Sequence, residues 1–223
     1  MFHDQRFAAF LFDMDGTVIN SIAATERAWG DWARGHGLDV DRFLPTIHGI
    51  RAIDTIRSLN LPGADPLEEA AKIERAELTD MTGVVAIPGA PEFLSSLPRH
   101  RWGIVTSAPR ELALLRLGAA GIPLPDVIVT AENVTNGKPA PDCYELGARR
   151  LGFAAADCLV FEDAPAGIAA GEAAGSRVMV ITAVHAYPTH HPSMPDYTGV
   201  LAEDDRHGLA LLTKKQPVAG YER

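Results

Sequence analysis

Four short polar clusters carry the residues able to do chemistry, and each belongs to the end of an apolar run. Asp13-Met14-Asp15-Gly16-Thr17 follows Ala8 to Phe12, and Thr106-Ser107 closes the run that starts at Trp102. Gly137-Lys138-Pro139 comes after Val127 to Thr130, and Glu162-Asp163 follows Leu159 to Phe161. Two carboxylates at i and i+2 leaving a strand can point to one side, where they repel unless a cation or a shared proton offsets them. Asp13 and Asp15 therefore imply a divalent metal. Oxygen ligands from Asp13, the backbone carbonyl of Asp15 and Asp163 suit Mg²⁺, which keeps some water and accepts a substrate phosphate oxygen. Asp13 is then the candidate nucleophile on phosphorus, with the metal and Lys138 neutralising the phosphoryl oxygens. Asp15, protonated when substrate arrives, is the candidate acid for the leaving alkoxide and the later base for water. Thr106 and Ser107 offer hydroxyl and N–H donors to a phosphate oxygen where strand turns into helix. Gly16 lets the backbone come close, and Thr17 can hold the loop by a local hydrogen bond. Glu162 has two readings, a second metal ligand or a charge buried against Lys138.

For these clusters to meet, the apolar runs must be neighbouring parallel strands, because ligands of open α/β sheets bind beyond the carboxyl ends of the strands. Val178 to Ile181 is expected as a fifth strand. Helical patterns over Pro109 to Ala120, Ala140 to Leu151 and Pro165 to Ala174 alternate with the strands, which predicts a doubly wound parallel α/β core. Residues 13 to 101 break that rhythm, since a single crossover helix needs far fewer. Helix-like spacing over Ser21 to Arg34, Thr46 to Leu59 and Pro66 to Met81 predicts a small helical cap between hinges near Asn20 and Ala86. The expected division is a core of residues 1–19 and 87–223 and a cap of residues 20–86.

The 223 residues suffice for such a core with an accessory, and 47% apolar residues indicate a packed globular chain. Twenty basic against 29 acidic residues give a net charge of −9, which argues against nucleic acid or an anionic membrane as partner. A phosphate site must then be a local device of cation, lysine and aimed N–H groups. Cys143 and Cys158 form no CxxC pair or disulfide framework, and the apolar run Phe7 to Phe12 is too short for a signal peptide or membrane span, so a cytoplasmic setting is expected. No heptad or obvious apolar stripe argues for association, and a monomer is plausible. The last ten residues read as polar and frayed.

In order and spacing, DMDGT, Thr-Ser, GKP and ED resemble the four motifs of the haloacid dehalogenase superfamily, over nearly the whole chain. Glu26-Arg27-Ala28-Trp29, His48-Gly49 and Phe161 to Gly175 resemble its bacterial sugar and hexitol phosphatases and its fungal glycerol-phosphate and 2-deoxyglucose-6-phosphate phosphatases. The resemblance implies a Mg²⁺-dependent phosphatase of small phosphorylated sugars or polyols, with Asp13 as nucleophile and Asp15 as acid/base. The sequence departs at Asn20, often Asp in such motifs. Thr25 and Ala52 stand where the related β-phosphoglucomutases carry a histidine and a phosphate-gripping arginine, although neighbouring Arg51 is a possible substitute. These changes favour hydrolysis over a mutase reaction. A phosphosugar-binding regulatory protein without activity is the alternative of another class, but it would not need both acids.

Within the cap, Asn20, Ser21, His48, Gly49 and Arg51 are the candidates to meet substrate. Lys72 is its only lysine. Trp29 and Trp32 are read as anchors of the cap's own core. Gly167, Gly171 and Gly175, four apart, are read as close helix-to-sheet packing. His185, His190 and His191 lie in a proline-rich stretch without regular metal-ligand spacing and are read as a mobile loop.

Overall fold

The computed structural model describes residue 2 and residues 5–213, so the expectation for the last ten residues lies outside the described part. The elements in chain order are β1 (Ala9–Phe12), β2 (Ile19–Asn20), α1 (Ile22–Gly35), α2 (Val40–Phe43), α3 (Ala52–Leu59), α4 (Pro66–Thr79), β3 (Val85–Ala86), α5 (Ala90–Ser96) and β4 (Trp102–Val105). They continue as α6 (Arg110–Ala119), β5 (Val127–Val129), α7 (Asp142–Leu151), β6 (Cys158–Glu162), α8 (Pro165–Ala173), β7 (Arg177–Ile181), β8 (Ser193–Met194), β9 (Val200–Asp205) and β10 (Gly208–Thr213).

The six-stranded sheet has the order β5-β4-β1-β6-β7-β8, and every pair in it is parallel. Its apolar runs do not alternate with polar residues because both faces are covered. Phe10, Phe12, Leu159, Phe161, Met179 and Ile181 point to one apolar cluster, and Ala9, Leu11, Cys158, Val160, Val178 and Val180 to the other. Helices α5 and α6 lie over the first face through Phe93, Leu94, Ala113 and Leu117. Helices α7 and α8 lie over the second through Tyr144, Ala148 and Ala170. The antiparallel hairpin β9–β10, for which sequence periodicity gave no expectation, adds Leu209 and Leu211 to the first face.

Between β2 and β3 the chain folds into a helical insert with its own apolar cluster of Trp29, Ala33, Phe43, Ile47, Ile56 and Ile73. Trp29 and Trp32 both belong to it, the latter at its edge. Strands β2 and β3 pair antiparallel where the chain enters and leaves the insert. The helix expected over Thr46 to Leu59 starts only at Ala52: Leu44–Thr46 form a 3₁₀ turn, and Gly49 has φ 77°, outside helical space. That turn presents residues 48–51 to the core.

Candidate active site

Parallel pairing brings the four polar clusters to one edge of the sheet. Continued by one residue, the β1–β6 register sets Asp13 beside Glu162, and the β1–β4 register sets it beside Val105, one residue before Thr106. Just before the two acids, Phe12 stacks on Phe161 with ring centroids 4.4 Å apart, which fixes both strand ends on an apolar floor.

Asp13 is buried, and Lys138 Nζ donates to its Oδ1 at 2.6 Å. The same ammonium donates to Glu162 Oε1 at 2.6 Å and to the Val105 carbonyl at 3.3 Å, which uses its three protons. Tyr144 Oη donates to Glu162 Oε1 at 2.8 Å, and the N–H groups of Asp163 and Ala164 donate to Oε2 at 2.9 and 3.1 Å. Each Glu162 oxygen therefore accepts two hydrogen bonds, which fills the capacity of a carboxylate. Of its two readings, the geometry is that of a charge buried against Lys138, with no lone pair left for a metal. Gly167 makes room for it, since a Cβ there would lie 1.6 Å from Glu162 Oε1. Gly167 against Glu162 at the end of β6 and Gly171 against Val160 and Val178 both give the close helix-to-sheet approach, whereas Gly175 lies beyond α8 with φ 77° and has no part in it.

Asp163 is also buried. Thr17 Oγ1 donates to its Oδ1 at 3.3 Å, and His185 Nδ1 lies 3.1 Å from its Oδ2. Gly16 has φ 88°, and a Cβ on it would sit 2.0 Å from Asp163 Oδ2, so both backbone and side-chain space require glycine there. His185, read from the sequence as part of a mobile loop, is instead packed at the site. It follows β7 as the other clusters follow their strands, and the strand-end rule applied to the fifth strand would have found it.

Burial, and next the neighbouring Glu162, hold the Asp13 carboxyl well above the ordinary carboxylate range against the pull of Lys138. Burial also lifts Asp163 to about 6, against its hydrogen bond with His185. Asp13, Glu162 and Asp163 bring ligand oxygens within 4.8 Å of one another. Three carboxylates face one ammonium, an excess of two negative charges in an apolar shell. A divalent cation held by oxygens of Asp13 and Asp163 would balance that excess, and the all-oxygen donor set suits a hard ion.

Above Asp13 and Asp15 lies a cavity of about 80 Å³, bounded by Thr106 and Ser107 from the core and by Trp29, Ile47, His48 and Ala52 from the insert. The Thr106 hydroxyl accepts from the Ala108 N–H at 3.0 Å, leaving its proton to donate, whereas Ser107 Oγ donates to the Gly49 carbonyl of the insert at 2.8 Å. Arg116 of α6 closes one wall. Its guanidinium donates to Asp15 Oδ1 at 2.9 Å, to Thr25 Oγ1 at 2.9 Å and to Glu77 Oε1 at 3.1 Å, and it is only 2% exposed. Burial raises the pKa of Glu77, with Arg116 opposing. Sequence reasoning passed over Arg116 and Glu77. The signal was a basic residue in the buried stripe Leu112, Ala113, Arg116, Leu117 of α6, where a charge needs a partner.

The insert residues expected to meet substrate divide. His48 lines the cavity, its ring tilted 48° to that of His185 with centroids 4.5 Å apart, and burial holds its pKa down at about 4, so it is neutral near pH 7. Its Nε2 approaches Glu26 Oε1 only to 3.7 Å, and the neutral ring makes no ion pair there. Gly49 also lines the cavity. Arg51 does not: its guanidinium is taken by Asp54 at 2.6 Å and by the carbonyls of Val134 and Thr135, each at 3.0 Å. A Cβ on Gly137 would meet Arg51 Nε at 2.5 Å, so the glycine beside Lys138 serves this docking. Arg51 is thus a clamp between insert and core, not a substitute for the mutases' arginine. Asn20 also stands off the cavity, with its Oδ1 accepting from the Ile22 N–H at the start of α1. Ser21 gives its hydroxyl to Asp15 Oδ1 instead of capping α1. Lys72 is paired with Glu69.

The chain belongs to the haloacid dehalogenase-like hydrolase family, whose model matches residues 7–175. It is similar to hexitol phosphatase A of Escherichia coli (strain K12), with 43% identity over 217 residues, 95% of this chain and 96% of that protein. Glycerol-1-phosphate phosphohydrolase 1 of Saccharomyces cerevisiae is 35% identical over 186 residues, 78% of this chain and 74% of that protein. A crystal structure of β-phosphoglucomutase from Clostridium difficile shares the fold, with a TM-score of 0.69 at 22% identity over 78% of this chain and 84% of that one.

Proposed function

We propose that the chain is a Mg²⁺-dependent phosphatase that hydrolyses a small phosphorylated sugar or polyol through an aspartyl-phosphate on Asp13. The observation that carries this reading is the pairing of Asp13 with Lys138 at 2.6 Å beneath a cavity that also holds Asp15, Thr106 and Ser107. The 43% identity to a hexitol phosphatase along almost the whole chain supports the substrate class.

A carboxylate oxygen of Asp13 attacks phosphorus in line, the bond to the sugar oxygen breaks, and Asp15 gives that oxygen its proton. Water then attacks the acyl phosphate and loses its proton to Asp15, which frees inorganic phosphate and regenerates Asp13. Lys138 orients Asp13 and faces the phosphoryl group, Glu162 and Tyr144 fix Lys138, and the Thr106 hydroxyl and Ser107 N–H are donors for phosphoryl oxygens. Mg²⁺, held by Asp13, Asp163 and the Asp15 carbonyl, supplies positive charge to the phosphoryl oxygens when bound. Residues 20–86 act as a cap that excludes water and selects the leaving group.

Arg116 is the only arginine or lysine lining the cavity among the described residues, and two carboxylates already engage it. No free cation awaits a second phosphate there, which supports hydrolysis over a mutase reaction. The test is release of inorganic phosphate with Mg²⁺ from hexitol, hexose, deoxyhexose, pentose and glycerol phosphates. At least one polyol or sugar phosphate is expected to be hydrolysed, and Asp13→Asn to abolish the release. Slow release that survives Asp13→Asn would reject the mechanism.

A further inference from the structure

The stretch between β7 and β8 meets the core at two places. At one, His185 lies against Asp163; at the other, His190 and His191 reach Glu172 on α8, outside the site described above. His190 Nε2 is 3.4 Å and His191 Nε2 2.8 Å from the same Glu172 oxygen, and the two rings lie 4.2 Å apart. Ligand atoms of all three fall within 4.8 Å of one another. Two imidazole nitrogens and one carboxylate oxygen are a donor set for borderline-soft divalent ions, which Mg²⁺ does not share.

We propose that Glu172, His190 and His191 form a surface site for one Zn²⁺-class transition-metal ion. Ligands about 2.0–2.1 Å from a tetrahedral zinc stand roughly 3.3 Å apart, near the His190–Glu172 spacing. The His191–Glu172 pair need only open from hydrogen-bond to ligand separation, and the exposed His190 side chain is free to complete the set. With three protein ligands the fourth position goes to water, as befits a half-open surface site. An ion there ties the His185-bearing stretch to α8.

Zn²⁺ binding to the untagged full chain is measured by equilibrium dialysis under excess Mg²⁺, which occupies the catalytic carboxylates. The Hε1 and Hδ2 signals of the histidines are followed by NMR. One Zn²⁺ per chain is expected, with the His190 and His191 signals shifting. Binding should survive Asp163→Asn and weaken at least about tenfold in the His190→Ala/His191→Ala double variant and in Glu172→Gln, since even outer-shell partners of metal ligands cost that much. These three residues lie outside the proposed catalytic machinery, so phosphatase activity with Mg²⁺ should be unchanged in the variants and serves as the check of folding. Absence of Zn²⁺ binding, equal binding by the double variant, or loss of binding in Asp163→Asn would each overturn the proposal.

Discussion

Arg116 offers the sharpest test of the electrostatics, because its three partners penalise its removal unequally. Glu77 is 7% exposed, and Arg116 is the only basic side chain paired with it among the described residues. Arg116→Met leaves that carboxyl buried without compensation, which costs about 3–5 kcal/mol for a broken buried pair. At roughly 2–4 °C per kcal/mol for a chain of this size, the melting temperature should drop by about 6–20 °C. Glu77→Gln should cost less, about 1.5–3 kcal/mol for one charge-assisted bond, since Arg116 keeps Asp15 and Thr25. Arg116→Met/Glu77→Leu, which removes both charges, should recover most of the loss and melt within a few degrees of the natural protein, about 1–2 kcal/mol away. Differential scanning calorimetry near neutral pH on the natural protein and the three variants gives the comparison. If the double variant melts as low as Arg116→Met, the unpaired Glu77 is not what destabilises the single variant, and the argument fails. Arg116→Lys is no rescue, because one ammonium nitrogen cannot replace the fork by which one guanidinium nitrogen reaches Asp15 and another reaches Thr25 and Glu77.

Three further outcomes follow from the geometry. Gly167→Ala must push the Glu162 carboxylate off Lys138; loss of about 2 kcal/mol of charge-assisted bonding should lower kcat/KM roughly thirtyfold in a protein that circular dichroism shows folded, and normal turnover would remove Glu162 from its positioning role. Asp163 has a folded pKa of about 6, raised from 3.8 by burial, so in metal-free protein its stabilising contribution, about 3 kcal/mol, is present below about pH 4 and lost as pH rises through 6. Mg²⁺ needs the deprotonated form, so the gain in melting temperature on adding Mg²⁺ should grow from about pH 5 to pH 7, and a gain independent of pH would contradict the assignment. Arg51→Ala leaves the carbonyls of Val134 and Thr135 without their donor and loosens the insert, so KM should rise more than kcat falls; unchanged steady-state constants would show that the clamp does not matter to closure.

Most of the site was legible because it is local in sequence and repeats one rule: apolar run, then polar cluster. Parallel strands buried on both faces make the runs visible, and their shared direction puts Asp13, Thr106 and Asp163 at one edge, where Lys138 joins them from the loop after β5. Residues whose role depends on the relative placement of insert and core were not legible. Arg51 looks like a ligand for substrate until the carbonyls of residues 134 and 135 are seen to occupy it. Arg116 stands in the apolar stripe of α6, but its partners Glu77 and Asp15 arrive from two other segments. Glu162 stayed ambiguous because its partners, Tyr144 and the turn after β6, decide whether lone pairs remain.

If residues 20–86 act as the proposed cap, the contacts that join insert to core set what its opening costs. A cavity of about 80 Å³ is well below the roughly 300–1,000 Å³ usual for small-molecule sites, so the arrangement seen here has no room for a whole sugar phosphate. Opening of that cap would break the Ser107–Gly49 bond, the Arg51 bonds to residues 134 and 135, and the Arg116 bonds to Thr25 and Glu77. The Ser107–Gly49 bond is neutral and contributes about 0.5–1.5 kcal/mol net, because water replaces the lost partner, whereas the guanidinium bonds of Arg51 and Arg116 are charge-assisted and contribute about 1.5–3 kcal/mol each. Opening is therefore cheap at Ser107 and costlier at Arg51 and at Arg116, most of all at the buried Arg116–Glu77 ion pair. Asp15 and Arg116 both lie on the core side of that division, so in the proposed mechanism the acid/base group would stay tethered while substrate enters, and closure would draw it from Arg116 and Ser21 toward the leaving oxygen. That exchange couples the placement of the acid/base group to the presence of a bound phosphoester.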